Sequence, residues 1–316
     1  MNLNDIDAVL IAGPTASGKS ARATQLALER HGVVINADSM QVYADLPILS
    51  ARPTPEQEAG VPHLLFGHVG AERNYSVAQW LDDAERALAQ ARQMGRLPIF
   101  VGGTGMYFKA LIRGLSDIPA VPEEVRAQVR LESEGAYPGE MYQRLKALDP
   151  LTAARLRPTD PQRILRALEV FAATGVSLTA FQGSRAPALL NAEHCQCLFL
   201  APDRPELMRR IESRFDAMLE AGALAEVERL AARELAPDLP ALRAVGVPGL
   251  LAYLKGETTF EAAVERGKRD SRRYAKRQYT FARTQLPEFA WIDPQGCIDP
   301  QVRETRVRPK VRETFS

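Results

Sequence analysis

The sequence is poor in cysteine, and this limits the kinds of site that it can build. Its 316 residues include three cysteines, Cys195, Cys197 and Cys297, and no C-x-x-C pair. An odd number of cysteines without that spacing argues against a disulfide scaffold and against a zinc site. Because thiols stay reduced in a reducing compartment, we expect a cytoplasmic protein.

Long apolar runs are absent as well. No segment approaches the roughly 18 apolar residues that a membrane-spanning helix requires. Residues 1–7 are acidic, and the apolar segment after them leads directly into a glycine-rich loop, which is unlike a secretory signal peptide. We therefore expect a protein with no membrane association.

The chain also lacks net charge, but its charges are unevenly distributed. The formal net charge is +1, which gives no overall attraction for a polyanion. Residues 265–283, however, contain eight lysines and arginines against only Glu265 and Asp270. At helical spacing on one face stand Arg266, Arg269, Arg273 and Lys276. With Tyr274 and Tyr279 nearby, this segment favours binding of a nucleic-acid backbone, and a solvated helix face is the alternative.

Residues 13–20, with the sequence GPTASGKS, are the most informative segment that is present. They match the pattern G-x-x-x-x-G-K-[ST] and follow an apolar run at residues 8–12 that predicts a buried strand. A helical pattern follows, which completes the strand–loop–helix context of a phosphate-binding loop. In such a loop the backbone N–H groups, the helix N-terminus and Lys19 bind an anion, and Ser20 is placed to bind Mg²⁺. The motif alone does not identify the phosphate compound.

The remaining periodicity predicts an α/β fold in which a P-loop NTPase-like parallel sheet is flanked by helices. Apolar runs typical of strands recur at residues 32–38, 63–69, 97–103, 197–201 and 289–292. Helical spacing occurs at 76–94, from 106 onward, and at 204–220, 222–235 and 258–284. Residues 116–190 read as an all-helical insertion without a convincing strand. We thus expect a core at 1–115 and 191–295, the insertion at 116–190, and a frayed tail at 296–316.

Polar residues follow two of the predicted strands, where ligands of parallel sheets bind. Asp38, beside Ser39, could hold Mg²⁺ through water or act as a general base, and a helix N-cap is the alternative. Thr104 could reach a ligand or cap the helix after it. On the helix at 204–220, Arg210 and Arg214 flank the apolar stripe, so a diphosphate clamp and a surface salt bridge are both open.

Taken together, several segments resemble the tRNA dimethylallyltransferase family over residues 8 to 293. The phosphate loop is joined, in the family's order, by ADSMQVY at 37–43, VGGTGMYFKAL at 101–111, DPQRILRALEV at 160–170, RIESRFDAMLEAG at 210–222 and AKRQYTFAR at 275–283. The combination is far more specific than the loop alone.

The resemblance implies a Mg²⁺-assisted reaction. A dimethylallyl group passes from dimethylallyl diphosphate to the exocyclic N6 of the adenine 3′-adjacent to the tRNA anticodon, and diphosphate is released. The implied catalytic residues are Thr15, Asp38 and Arg214. The implied diphosphate-binding residues are Gly13, Pro14, Thr15, Ala16, Ser17, Gly18, Lys19 and Ser20. The implied tRNA-binding residues are Asp38, Ser39, Met40, Gln41, Thr104, Arg126, Gln162, Arg163, Arg166 and Arg243, to which the basic segment adds Arg272, Lys276 and Arg277. No obligate protein partner is implied, and we expect a monomer.

The chain departs from the family pattern at three places. Residues 49–53 read LSARP where the family has GTAKP, Val247 and Pro248 replace an aromatic residue and a cation, and Phe281 replaces a tryptophan. These changes spare the loop, Asp38 and Arg214, so the implied reaction is kept. Two alternatives stay open, a small-molecule kinase and a non-catalytic nucleotide-binding RNA protein.

Overall fold

The computed structural model describes residues 6–183 and 185–293, and within them the chain forms one parallel sheet covered by helices. Its strands are β1 (Ala8–Ala12), β2 (Gly32–Asn36), β3 (His63–Leu64), β4 (Leu97–Gly102), β5 (Cys195–Leu200) and β6 (Ala290–Ile292). Their order in the sheet is β3-β2-β4-β1-β5-β6, and every neighbouring pair is parallel. The predicted fold class is thereby confirmed.

Helices connect and cover these strands. The helices are α1 (Lys19–Glu29), α2 (Pro55–Glu58), α3 (Val77–Gln93), α4 (Gly105–Arg113), α5 (Glu123–Glu132), α6 (Pro138–Leu148), α7 (Pro150–Ala153), α8 (Pro161–Thr174), α9 (Arg204–Glu220), α10 (Ala223–Ala231), α11 (Val247–Leu254) and α12 (Phe260–Gln285). Short 3-10 turns lie at Ala180–Gln182, Ala192–His194 and Pro240–Arg243.

The sheet is buried on both faces, which is why its strands read as continuous apolar runs. Val9 and Ile11 of β1 point to the side covered by α1, where Ala23 and Ala27 are buried. Leu10 points to the opposite side, into the larger core that includes residues of α3, α4 and α12. The alternation of side chains along each strand therefore supplies both cores.

Two expectations about elements need correction. The strand predicted at 63–69 is only two residues long, because Leu65 and Gly67 have φ angles of 64° and 57° and end the extended conformation. Helix α11 was not anticipated, since a Pro and a Gly in its first turn obscure a short segment whose Val247 and Leu250 are buried. The tail expected at 296–316 and Cys297 lie outside the described residues.

The chain divides into two compact units, Arg113–Ala188 and the remainder. The smaller unit contains α5 to α8 around its own core, which includes Val129, Leu145 and Ile164. Among its described residues no strand occurs, apart from an isolated bridge between Ser116 and Arg185. The larger unit contains the sheet.

The sheet order places the ends of β1, β2 and β4 side by side, because β4 pairs with both of the others. The chain leaving β2 stays against the end of β4, since Ala37 N donates to Val101 O at 2.7 Å and Thr104 N donates to Ala37 O at 3.2 Å. Gly102 permits this approach, because a side chain there would overlap the Ala37 carbonyl. Three loops thus converge at one edge of the sheet.

Trp80 of α3 contacts the end of β2 at the same edge of the sheet. Its indole is fully buried, stacks on Tyr107 with ring centroids 4.0 Å apart, and donates from Nε1 to Asn36 O at 3.0 Å. A buried aromatic side chain with its polar atom satisfied is a strong packing anchor. The end of β2 is therefore held in place by α3 and α4.

Among the described residues, no helix combines the length and the apolar character needed to cross a membrane.

Candidate active site

The loop between β1 and α1 has the geometry of an anion cradle. Ala16 and Gly18 both have positive φ angles, 64° and 86°, and α1 begins directly afterwards at Lys19. Ser17 is fully buried, and its Oγ has no hydrogen-bond partner among the described residues. A Cβ on Gly13 would stand 2.8 Å from that Oγ, so the turn is closed too tightly for a side chain there. Backbone N–H groups and the helix N-terminus thus face one concave surface.

Lys19 is buried inside this loop, at 8% exposure. Its Nζ donates to Pro14 O at 3.3 Å. Burial lowers the pKa of Lys19 to about 8, Arg214 adds to this effect, and the negative charge of Asp38 opposes it. The ammonium group is therefore poorly solvated, and a bound anion would stabilise its charged form.

Arg214 of α9 reaches the loop and donates to Thr15 Oγ1. Burial lowers its pKa, while the negative charge of Asp38 acts in the opposite direction. Arg210, one turn earlier, is exposed and donates to Glu206 Oε1 at 2.8 Å. Arg214 thus contacts the loop directly, whereas Arg210 forms an ion pair with Glu206 and also lines the larger cavity at the loop.

Asp38 follows β2 in a turn, and no helix begins there, so the N-cap alternative is wrong for this residue. Its Oδ1 accepts from Met40 N at 3.0 Å. Asn36 fixes the backbone of Asp38 at both ends, donating to its carbonyl at 3.0 Å and accepting from its N–H at 2.9 Å. Sequence reasoning missed Asn36, although a polar residue at the end of a buried strand was a visible signal.

Thr104 links the ends of β2 and β4. Its Oγ1 accepts from Ser39 N at 2.9 Å and donates to Ser39 Oγ at 3.2 Å, so its side chain does not cap α4. The Tyr274 side chain of α12 hydrogen-bonds to Thr104, and burial, together with the negative charge of Asp38, raises the pKa of Tyr274. The phenol is therefore neutral at physiological pH.

A cavity of about 180 Å³ opens between these groups. Its lining includes the polar or charged side chains of Thr15, Asp38, Ser39, Arg214, Arg243, Tyr274 and Arg277, and the apolar side chains of Leu49, Ile211, Phe215 and Met218. A larger cavity of about 980 Å³ contains loop residues 16–20 and shares Arg214 and Met218 with the first. Arg214 and Met218 thus separate the space beside the loop from a partly apolar space lined by Asp38.

Other predicted residues take different positions in the larger unit. Gln41 is buried and donates to the carbonyls of Ser50 and Ala51, at 3.0 and 2.9 Å. It therefore holds the segment that carries Leu49, and it does not line the smaller cavity. Met40 does line that cavity and is partly buried.

The basic residues of α12 are not equivalent. Arg272 is paired with Glu212 of α9 through Nη1 and Oε1 at 2.6 Å. Lys276 and Arg277 are exposed, and the Arg277 guanidinium lies 5.5 Å from the centroid of the Tyr274 ring. Fewer cations of this helix are therefore open to a ligand than the eight lysines and arginines in the sequence indicated.

In the smaller unit, the predicted tRNA-contacting residues lie on α5 and α8. Asp160 caps α8 by accepting from Arg163 N at 3.2 Å, and Gln162 is exposed in the first turn. Arg166 pairs with the buried Glu169 at 3.6 Å. Arg126 pairs with Glu123 at 2.9 Å.

The residues around the loop fit Mg²⁺ only in combination with a phosphate ligand. Ser20 lines the larger cavity, and within the described chain no group of three or more His, Cys, Asp or Glu side chains could hold a metal ion. Mg²⁺ accepts such a site, because it keeps several waters and binds one or two protein oxygens together with substrate phosphates.

The fold and this site define a P-loop α/β protein in which a phosphate cradle opens toward a carboxylate. The model of the IPP transferase family matches residues 41–285, and that of the isopentenyl transferase family matches residues 6–65. The chain belongs to the IPP transferase family, whose curated relatives are named tRNA dimethylallyltransferase.

These relatives are similar over almost the whole chain. The tRNA dimethylallyltransferase of Beijerinckia indica is 61% identical over 288 residues, which are 91% of this chain and 95% of the relative. That of Bradyrhizobium sp. is 54% identical over 97% of this chain and 99% of the relative. The family expected from the motifs is thereby confirmed.

Solved structures of tRNA-prenylating enzymes are also similar to this chain. The tRNA isopentenylpyrophosphate transferase from Bacillus halodurans has a TM-score of 0.65 and 34% identity, over 94% of this chain and 93% of that one. A eukaryotic dimethylallyltransferase, described as acting on tRNA, has a TM-score of 0.76 and 29% identity, over 90% of this chain and 73% of that one.

Proposed function

We propose that this protein transfers a dimethylallyl group from dimethylallyl diphosphate to the exocyclic N6 of the adenine 3′-adjacent to the tRNA anticodon. The observation that carries the proposal is that the cavity at the phosphate loop and the cavity at Asp38 share part of their lining. Arg214 and Met218 line both cavities, so a diphosphate on the loop can place its allylic end beside the carboxylate. The names of the curated relatives support transfer of a dimethylallyl group and tRNA as the acceptor.

In this mechanism the loop binds the leaving group. The allylic C–O bond breaks, and the departing diphosphate is stabilised by the backbone N–H groups, by Lys19 and by Arg214. When it is bound, Mg²⁺ would neutralise part of the diphosphate charge, with Ser20 among its ligands. The partly apolar wall near Asp38, with Leu49 and Phe215, suits the five-carbon group.

Asp38 acts on the acceptor. The adenine amine is a weak nucleophile, and a new N–C bond forms as the amine loses one proton. Asp38 orients the amine and accepts that proton. The adenine has to leave its stack to reach a cavity of this size, as base-modifying enzymes require. In this proposal Arg243 and Arg277, which line the cavity, contact the nucleic-acid backbone.

The direct test is incubation of the protein with Mg²⁺, dimethylallyl diphosphate and unmodified tRNA, followed by digestion and mass analysis of the nucleosides. We expect an adenosine heavier by one five-carbon prenyl group, and none with the Lys19→Ala variant. Folded protein that binds tRNA but yields no modified adenosine would contradict the proposal. ATP hydrolysis or phosphate transfer in its place would favour a kinase or a nucleotide-binding RNA protein.

A further inference from the structure

Gln278 of α12 connects the phosphate loop to the end of β4. Its Oε1 accepts from Thr15 N at 2.9 Å, and its Nε2 donates to Gly103 O at 3.0 Å. The side chain is buried, with 7% of the residue exposed. The amide oxygen and the amide nitrogen each form a hydrogen bond, and each bonds to the backbone of a different loop of the site. Nothing in the reaction described above assigns a role to this residue.

The surroundings leave little freedom for this amide. A Cβ at Gly103 would overlap the Gln278 amide in its present position and stand 3.0 Å from Asp38 Oδ2. Gln278 is therefore a near neighbour of the carboxylate as well as of the loop. The Thr15 hydroxyl accepts from Arg214, so the residue that Gln278 holds by its backbone is also the one that Arg214 contacts.

We propose that Gln278 is a positioning residue of the donor site, which fixes the phosphate loop at Thr15 relative to Arg214 and to the end of β4. The inference rests on the proposed function, since it assigns the loop to the diphosphate of the donor. The amide contacts no reacting atom. It acts through the position of Thr15, and therefore through the arrangement of donors that the diphosphate meets.

Both polar atoms of the Gln278 amide satisfy backbone groups of the site. Without Gln278, the Thr15 N–H and the Gly103 carbonyl would lose their partners in a buried environment, which is costly for backbone groups. The loop would relieve this by moving toward water or by rotating its first peptide units. Either movement displaces Thr15 from Arg214. The effect should therefore appear mainly in the binding of diphosphate, and less in the binding of tRNA to exposed cations.

The test compares Gln278→Met with Gln285→Met in the full-length protein. Methionine has a similar length and flexibility but no amide. Gln285 is two turns later on the same helix and accepts from Lys109 Nζ at 2.7 Å, away from the loop. We expect Gln278→Met to raise the Kd for inorganic diphosphate and the KM for dimethylallyl diphosphate by about tenfold or more. The Kd for tRNA should stay within about twofold, and Gln285→Met should leave all three constants near those of the unaltered protein.

Melting temperatures separate this role from a merely structural one. A Gln278→Met protein that melts earlier but binds diphosphate normally would overturn the inference. If that variant does not fold, Gln278→Glu keeps an acceptor for Thr15 and removes the donor to Gly103. A folded Glu variant with unchanged diphosphate affinity would also overturn it. Failure of the unaltered protein to bind diphosphate or to transfer a prenyl group would instead contradict the proposed function, and the role would fall with it.

Discussion

Lys19 illustrates the conflict between stability and binding at a single residue. Its side chain is buried and donates to the Pro14 carbonyl at 3.3 Å, and its pKa is lowered to about 8. A charged group without full solvation destabilises the folded state, and this energy is recovered only when an anion arrives. The loop is thus better suited to its ligand than to its own stability.

We predict that Lys19→Met stabilises the ligand-free protein at pH 7. The unfolded lysine keeps its pKa of 10.5, and the folded one has a pKa of about 8, so the unfolded state binds more protons between these values. The stability of the unaltered protein should therefore rise with pH across that interval, and the advantage of the variant should shrink. The difference at pH 7 is on the order of 3 kcal/mol. Urea denaturation at pH 7 and 9.5 measures it, and a less stable variant at pH 7 would contradict the prediction.

Asp38 carries the second prediction at this scale. Asp38→Asn keeps an oxygen for Met40 N but cannot accept the proton of the amine. We expect turnover to fall by about 10²–10⁴, the usual contribution of general acid–base catalysis, while tRNA affinity changes little. Asp45→Asn is the matched control, because Asp45 pairs with Arg233 and accepts from Ala71 N at 2.8 Å but does not line the smaller cavity. A decrease below threefold, measured in single-turnover reactions, would remove Asp38 from the mechanism.

At the scale of elements, α12 serves several parts of the site at once. Tyr274 contacts Thr104, Gln278 contacts both loops, and Arg277 lines the smaller cavity. One face of the helix is packed in the core through Gly267, Ser271 and other small or polar residues. A single helix therefore contacts both loops and also supplies a cation to the lining of the smaller cavity.

The exposed cations Lys276 and Arg277 of α12 should contribute more to tRNA affinity than cations of the same helix that form ion pairs with α9. Neutralising Lys276 and Arg277 together, each to Gln, should weaken tRNA binding and lower the slope of log K against log salt by up to about two. The control neutralises Lys268 and Arg272, which pair with Asp216 and Glu212 of α9. We expect a smaller change there, because these charges are already balanced within the protein. Equal slopes for the two double variants, from filter binding at several salt concentrations, would contradict this difference.

At the scale of the whole molecule, the chain contains two units with separate cores. The buried cluster around Leu145 and Ile164 contains residues of Arg113–Ala188 alone. The chain leaves the larger unit just after Leu111 and returns to it just before Leu190. These two residues are neighbours, since Leu190 N donates to Leu111 O at 3.1 Å. The loop, Asp38, Arg214 and Gln278 all belong to the larger unit.

We predict that the larger unit folds when residues 113–188 are replaced by a short Gly-Ser linker. Because all residues of the phosphate loop remain, inorganic diphosphate should bind within about threefold of the full-length affinity. tRNA affinity should fall, since Gln162, Arg163 and Arg166 are removed. Circular dichroism measures the folding of the shortened protein, and titration calorimetry measures its affinities for diphosphate and tRNA. A shortened protein that folds but binds no diphosphate would contradict the separation of the two units.

Much of the fold was predictable from local patterns. The strands before and after residues 13–20, and the position of Asp38 at a strand end, follow from apolar runs and glycine-rich turns. The roles of Gln278 and Tyr274 were not predictable in the same way. A glutamine in the buried stripe of a helix has no local signal that tells which backbone groups it will meet.

The parallel sheet, the glycine-rich loop and the family could therefore be predicted from the amino-acid sequence, because they depend on apolar runs and on motifs within a few consecutive residues. Which side chains complete the site depends instead on contacts between distant segments. Thr15 and Gln278 are 263 residues apart in the chain, and Arg214 is 199 residues from Thr15. Their meeting depends on the strand order and on the packing of α9 and α12 near the loop, and such long-range contacts are set by burial in the whole core rather than by local propensity.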